Sequence, residues 1–204
     1  KNKFGPTAGN GITIGGNNNL FTNNIVHNSN YSGNDFAAIY VKKSNGLEIS
    51  YNTIRDSARA HIFFDINQTF GKNIIKNNHF KDHSTLNSDC GAFYTWSSNG
   101  GGTVIKNNFV EVGNKNNNGL MMKLRLGLYV DNYSSNYIVH HNIVKGGHAG
   151  LQTNLPNPGT IYANNTVIET RKREAEELPY VEALSRQSLL CRKFRACDGR
   201  MRCA

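Results

Sequence analysis

Ile138-Val139-His140-His141-Asn142-Ile143-Val144 is the stretch whose reading decides the fold, because the same phrase recurs along the chain. Two apolar residues, two of any kind, an asparagine, one further residue and an apolar residue make up the phrase. It can be read six times, around Asn24, Asn52, Asn78, Asn108, Asn142 and Asn165, with steps of 28, 26, 30, 34 and 23 residues. An internal repeat of this period outranks other sequence signals and points to a unit stacked on copies of itself, with loops of varying length between them.

The apolar residues of the phrase come in pairs or at spacing two and are mostly β-branched or aromatic. Asn and Gly punctuate every unit, which disfavours helices and favours short strands. Two or three strands of this length cannot bury an apolar face alone. Coils stacked at about 4.8 Å can bury it against those above and below. The repeated Asn then has two expected roles: to tolerate the left-handed bend between strands, and to hydrogen-bond the equivalent Asn one coil away. The expected fold is all-β, a parallel β-helix of about six coils.

The phrases GLEISYNTIRD (46–56), TVIKNNFVEV (103–112), NYIVHHNIVKGG (136–147) and TIYANNTVIE (160–169) resemble the right-handed parallel β-helix repeats of pectate-lyase-like proteins. DCGAFYTWSSNGGGT (89–103) and GLYVDNYSSN (127–136) are similar more narrowly to bacterial β-helix proteins of the carbohydrate-active group. The resemblance spans about residues 10–170. It implies the fold and, as relatives of this kind are usually exported, an extracellular or periplasmic location. It implies less about reaction, since the fold hosts lyases, hydrolases, esterases and non-catalytic surface proteins.

Composition draws a boundary near residue 170. All 31 Asn precede residue 166, whereas residues 171–204 hold no Asn and three of the four Cys. We therefore divide the chain into a repeat domain, 1–170, expected to be part of a longer solenoid, and a basic Cys-containing segment, 171–204. In the latter, Leu178, Val181, Leu184 and Leu189 could form one face of a short capping helix; an unrelated terminus without a fold of its own is the other reading. Cys90 stands alone in the repeat domain, where a small buried residue is the default.

The net charge of +9 is spread between the two parts, +5 from 14 basic against 9 acidic residues in 1–170 and +4 from 9 against 5 beyond. Neither part has clustered Lys and Arg interleaved with stacking aromatics, so nucleic acid is not an expected partner. A mild positive field suits an acidic polysaccharide. There is no apolar run of membrane-spanning length, and a monomer is expected.

Aligning the strand before each Asn phrase gives six quartets, Ile12–Gly15, Ile39–Lys42, Ile62–Asp65, Phe93–Trp96, Leu128–Asp131 and Leu151–Asn154. With period-two alternation the second and fourth residues face outward. One outward column is then Thr13, Tyr40, Phe63, Tyr94, Tyr129 and Gln152; the other is Gly15, Lys42, Asp65, Trp96, Asp131 and Asn154. Four successive aromatics outside a solenoid form an apolar stripe that marks a binding surface, unless a loop covers it.

Asp65 and Asp131 share a column two coils apart, about 9 to 10 Å, with Trp96 between them. Carboxyl separations of roughly 6.5 to 9.5 Å are those of inverting glycosidases. The expected function is hydrolysis of a polysaccharide, one Asp acting as general acid and the other as the base that activates water. Tyr40, Lys42, Phe63, Tyr94, Trp96, Tyr129, Gln152 and Asn154 would bind substrate. Asp89, with His61 and His148 at turn positions nearby, could orient substrate or hold Ca²⁺; otherwise no cofactor or metal is called for. A polysaccharide lyase is the first alternative, although Lys42 is the only base in the two columns. A non-catalytic carbohydrate-binding or surface β-helix is the second. Loops at 83–88 and 113–126, the latter with Met121, Met122 and Leu124, would wall the groove.

Overall fold

The computed structural model describes residues 1–32, 35–113 and 125–168. Met121, Met122, Leu124 and the segment 171–204, with the helical cap expected there, lie outside the described residues. Among those described there is no helix. The strands fall in rotation to three sheets, each wholly parallel, the arrangement of a parallel β-helix.

The first sheet orders β1 (Lys3–Phe4), β4 (Ile25–Ser29), β7 (Thr53–Ser57), β10 (His79–Lys81), β13 (Phe109–Val112), β16 (Ile143–Gly146) and β19 (Thr166–Ile168). The second, which carries the outward columns, orders β2 (Ile12–Asn17), β5 (Ala37–Asn45), β8 (Ala60–Phe64), β11 (Cys90–Thr95), β14 (Arg125–Val130) and β17 (Ala149–Thr153). The third orders β3 (Leu20–Thr22), β6 (Glu48–Ser50), β9 (Ile74–Lys76), β12 (Asn99–Lys106), β15 (Ser135–His140) and β18 (Ile161–Ala163). One apolar core runs between them, with Ile39, Ile62, Phe93 and Leu128 facing Val26, Ile54, Phe80, Val110 and Val144 across the solenoid.

The repeated Asn occupies the bend between the third sheet and the first, and it forms a continuous buried ladder. The backbone N–H of Asn24, Asn52, Asn78, Asn108 and Asn142 each donates to Oδ1 of the ladder Asn one coil on, at 2.9 to 3.0 Å. In the other direction, Nδ2 of Asn52, Asn78, Asn108, Asn142 and Asn165 donates at 2.9 Å to the carbonyls of Phe21, Ile49, Ile75, Ile105 and Val139 on the preceding coil. One side chain thus satisfies a buried donor and a buried acceptor that the bend removes from the strand ladders.

The left-handed conformation itself falls one residue earlier than the sequence reading placed it. Asn23, Tyr51, Asn77, Asn107, His141 and Asn164 have φ between 50° and 56°. Those positions tolerate varied residues because the side chain points away, whereas the ladder position needs both an amide oxygen and an amide N–H.

A second constraint governs the start of each quartet. The residues just before its first member are Gly11, Ala38, His61, Ala92, Gly127 and Gly150. Here the second sheet closes on the first: a Cβ on Gly127 would stand 2.4 Å from Cγ1 of Val144 and 2.2 Å from the carbonyl of Gly150. Only His61 departs from the small-residue pattern.

Two substitutions separate the roles in the bend. Asn78→Ala strands the buried N–H of Asn52 and the carbonyl of Ile49, and should lower unfolding free energy by about 3 kcal/mol or more in urea melts. Asn77→Gly, at a φ of 55°, should change it by less than about 1 kcal/mol.

Candidate functional site

In-register pairing through the second sheet aligns Thr13, Tyr40, Phe63, Tyr94, Tyr129 and Gln152 on successive strands, the order of the first expected column. The ladder runs on into the second column, with the N–H of Asp65 donating to Val41 O and that of Asp131 to Thr95 O, both at 2.9 Å. Strand spacing sets Asp65 and Asp131 about 9.6 Å apart at their backbones, with Trp96 between.

The aromatic stripe, expected to lie open, is closed. Phe63, Tyr94 and Tyr129 are 5%, 6% and 3% exposed and pack outside the sheet with Ala37, Ala60, Cys90 and Leu126 as a second apolar cluster. Ring centroids of Tyr40, Phe63, Tyr94 and Tyr129 follow one another at 5.2 to 5.3 Å. The Arg59 guanidinium lies over the rings, 5.0 Å from the centroid of Tyr94 and 5.8 Å from that of Phe63, and pairs with Asp35 at 3.1 Å. Desolvated cation–π contacts of this kind hold Arg and rings together. The sequence reading passed over Arg59; its signal was a long cation beside a strand whose outward positions are aromatic.

The two columns are cross-linked from one coil to the next. Tyr40 donates its hydroxyl to Asp65 Oδ1 at 2.6 Å, and Tyr94 donates to Asp131 Oδ2 at 3.0 Å. Asn154 Nδ2 donates to Tyr129 Oη at 2.6 Å and Asp131 Oδ1 at 2.8 Å. Opposite Phe63, which has no hydroxyl to donate, the next coil carries Trp96. Burial first, then the adjacent carboxylate, pushes the phenols of Tyr40, Tyr94 and Tyr129 above their ordinary range.

Asp131 is buried and its oxygens are both occupied, Oδ1 also accepting from the N–H of Asn132 at 2.7 Å. Asp65 is half-buried; its Oδ1 accepts from Tyr40 and from the N–H of Ile66, while Oδ2 makes no hydrogen bond to the described residues. Trp96 is 40% exposed and Lys42 is exposed. Gln152 and Asn154 are partly open. The positions of this face that meet solvent are therefore Lys42, Asp65, Trp96, Gln152 and Asn154, while Phe63, Tyr94 and Tyr129 lie beneath.

Asp89 precedes β11 at φ 56° and is exposed as a residue. Partial desolvation of its carboxyl, followed by the charge of Asp131, raises its pKa, and Arg59 opposes the shift. His148 lies between β16 and β17, its N–H donating to Arg125 O at 2.8 Å.

His61 belongs neither to a turn nor to the ligand face. It lies within β8, fully buried, with its ring stacked on Phe80 at 5.8 Å and edge-on to His83 at 5.6 Å. Its inward aim follows from the step before the quartet, where two consecutive residues turn toward the core. Neither ring nitrogen has a well-formed hydrogen bond, and only the Lys81 backbone is placed to favour the charged form. His83 Nδ1 meets Ser84 Oγ at 2.6 Å, and Ser84 Oγ meets Cys90 Sγ at 3.0 Å. Burial holds both imidazoles below their ordinary value, His83 at about 3, and raises the Cys90 thiol to about 11.

Among the described residues no group of three or more His, Cys, Asp or Glu side chains could hold a metal ion, and no helix is long and apolar enough to cross a membrane. Comparison with protein-family models, curated proteins and solved structures gave no match.

The buried histidines make stability depend on pH. Their folded pKa values lie below the unfolded value of about 6.5, so their full contribution is present above that pH and is lost as pH falls toward the folded values. Each should steepen the fall by up to about 1.4 kcal/mol per pH unit below pH 6.5. In melts across this window, His61→Ala should flatten the slope; an unchanged slope would mean that His61 does not stay neutral.

Proposed function

We propose that this chain is a carbohydrate-binding, right-handed parallel β-helix of about six coils, of the pectate-lyase-like kind, that holds a polysaccharide along the second outward column. The observation that carries the reading is the exposed indole of Trp96 between the carboxylates of Asp65 and Asp131, beside an aromatic column that is closed. An indole face fits the apolar C–H face of a pyranose. The free Oδ2 of Asp65 and the carbonyl oxygen of the Gln152 amide supply acceptors for hydroxyls on either side. An extracytoplasmic location and a monomer go with this reading.

Polysaccharide hydrolysis is the second reading, and one observation favours it. Inversion needs a protonated carboxyl near an ionised one. Asp89, whose pKa is raised within the field of Asp131, suits the acid better than Asp65, whose Oδ1 is occupied by two donors. Lys42 remains the only cation within the two columns, which disfavours a lyase.

Affinity electrophoresis in gels containing neutral or acidic polysaccharides tests the binding reading. Trp96→Ala should weaken retardation by about tenfold, the loss expected for one stacking ring; undiminished retardation would refute it. Release of reducing ends, abolished in Asp89→Asn and declining as pH rises through the range where Asp89 loses its proton, would establish hydrolysis.

A further inference from the structure

A cleft of about 450 Å³ opens at the corner between the first and second sheets, away from Trp96, where β4 and β7 end beside the turn that follows β10. Its volume falls within the range of small-molecule sites. His27 and Arg55 stand side by side in register on β4 and β7, and Lys81 continues the row on β10, beyond the cleft. Asp56 is the one carboxylate of the lining, and it is already in contact with Arg55 Nη1. Arg55 is partly exposed and its Nε and Nη2 make no hydrogen bond to the described residues.

His27 supplies the second requirement. It is more than nine-tenths buried, and its Nδ1 lies 3.2 Å from Asn28 Oδ1. An amide oxygen can only accept, so Nδ1 carries a proton, and in the neutral ring Nε2 presents a lone pair. That Nε2 is shielded from bulk water and has no partner among the described residues. A buried acceptor left empty costs free energy until a donor reaches it. The walls include the apolar side chains of Tyr31 and Leu86, which are 47% and 54% exposed.

A cation with two vacant donors, an empty acceptor beside it and apolar walls call for a ligand with a carboxylate, a hydroxyl and a carbon skeleton. We propose that this cleft is a binding site for a small hydroxylated carboxylate of sugar-acid size. Arg55 holds the carboxylate, His27 Nε2 accepts a hydroxyl, and Tyr31 and Leu86 cover the chain between them. The site lies on a different face from Trp96 and does not depend on the carbohydrate-binding reading.

The test is a titration of the isotope-labelled full chain with sodium gluconate, followed by amide and side-chain resonances, with sorbitol and sodium hexanoate as controls. Gluconate should shift the resonances of His27, Tyr31, Arg55 and Thr85 saturably. Sorbitol lacks the carboxylate and hexanoate the hydroxyls, and each should bind about tenfold more weakly or worse. Arg55→Gln should weaken gluconate by about tenfold, with unmoved Ile54 and Phe80 resonances showing that the core is intact. If that variant does not fold, the three ligands on the unmodified chain decide the matter. Gluconate that moves none of these resonances, or a control that matches it, overturns the site. Trp96→Ala should leave the gluconate shifts unchanged; their loss would overturn its independence from the other face.

Discussion

The rest of the structure depends on the buried asparagine ladder. A solenoid must bend its chain sharply between sheets, and each bend takes a backbone N–H and a carbonyl out of the strand ladders where they are buried. A side-chain amide carries an acceptor and donors on one planar group, and the coil spacing brings each within reach of the next. The steps of 28, 26, 30, 34 and 23 residues that separate the repeated Asn are the sequence separations of the hydrogen bonds that join them. Loop lengths can therefore vary between coils without disturbing the stack, because the ladder and not the spacing holds register.

With register held, every outward position on the second sheet becomes part of a column. Stacking at one strand spacing places like beside like, and the four rings from Tyr40 to Tyr129 form a second apolar layer outside the sheet. The layer is joined to the neighbouring column by hydroxyls that meet a carboxylate or an amide one coil on. Buried phenols need partners, and Asp65, Asp131 and Asn154 provide them. The same bonds hold these side chains in fixed positions beside Trp96.

His61 and Arg59 show the limits of pattern. Alternation along β8 predicts the sides of Phe63 and Phe64 correctly, yet two residues before Phe63 the strand turns and sends His61 into the core against Phe80. Arg59 reads as one more scattered surface base until the fold sets it over two rings and within reach of Asp35. Neither placement follows from local propensity, since both depend on what other coils present at that height.

The sequence by itself determined the strands, their parallel stacking and the register of the two outward columns. These follow from a periodic requirement, an amide at each bend and apolar residues at spacing two, that leaves its mark in every repeat. The tertiary structure alone decided that the aromatic stripe is closed, that Asp65 and Asp131 are tied to tyrosines, and that His27 is left beside Arg55 with an empty acceptor. Those outcomes rest on contacts between residues far apart in the chain, 25 and 37 residues in the two tyrosine–carboxylate bonds, and a repeat pattern carries no record of distances across the stack.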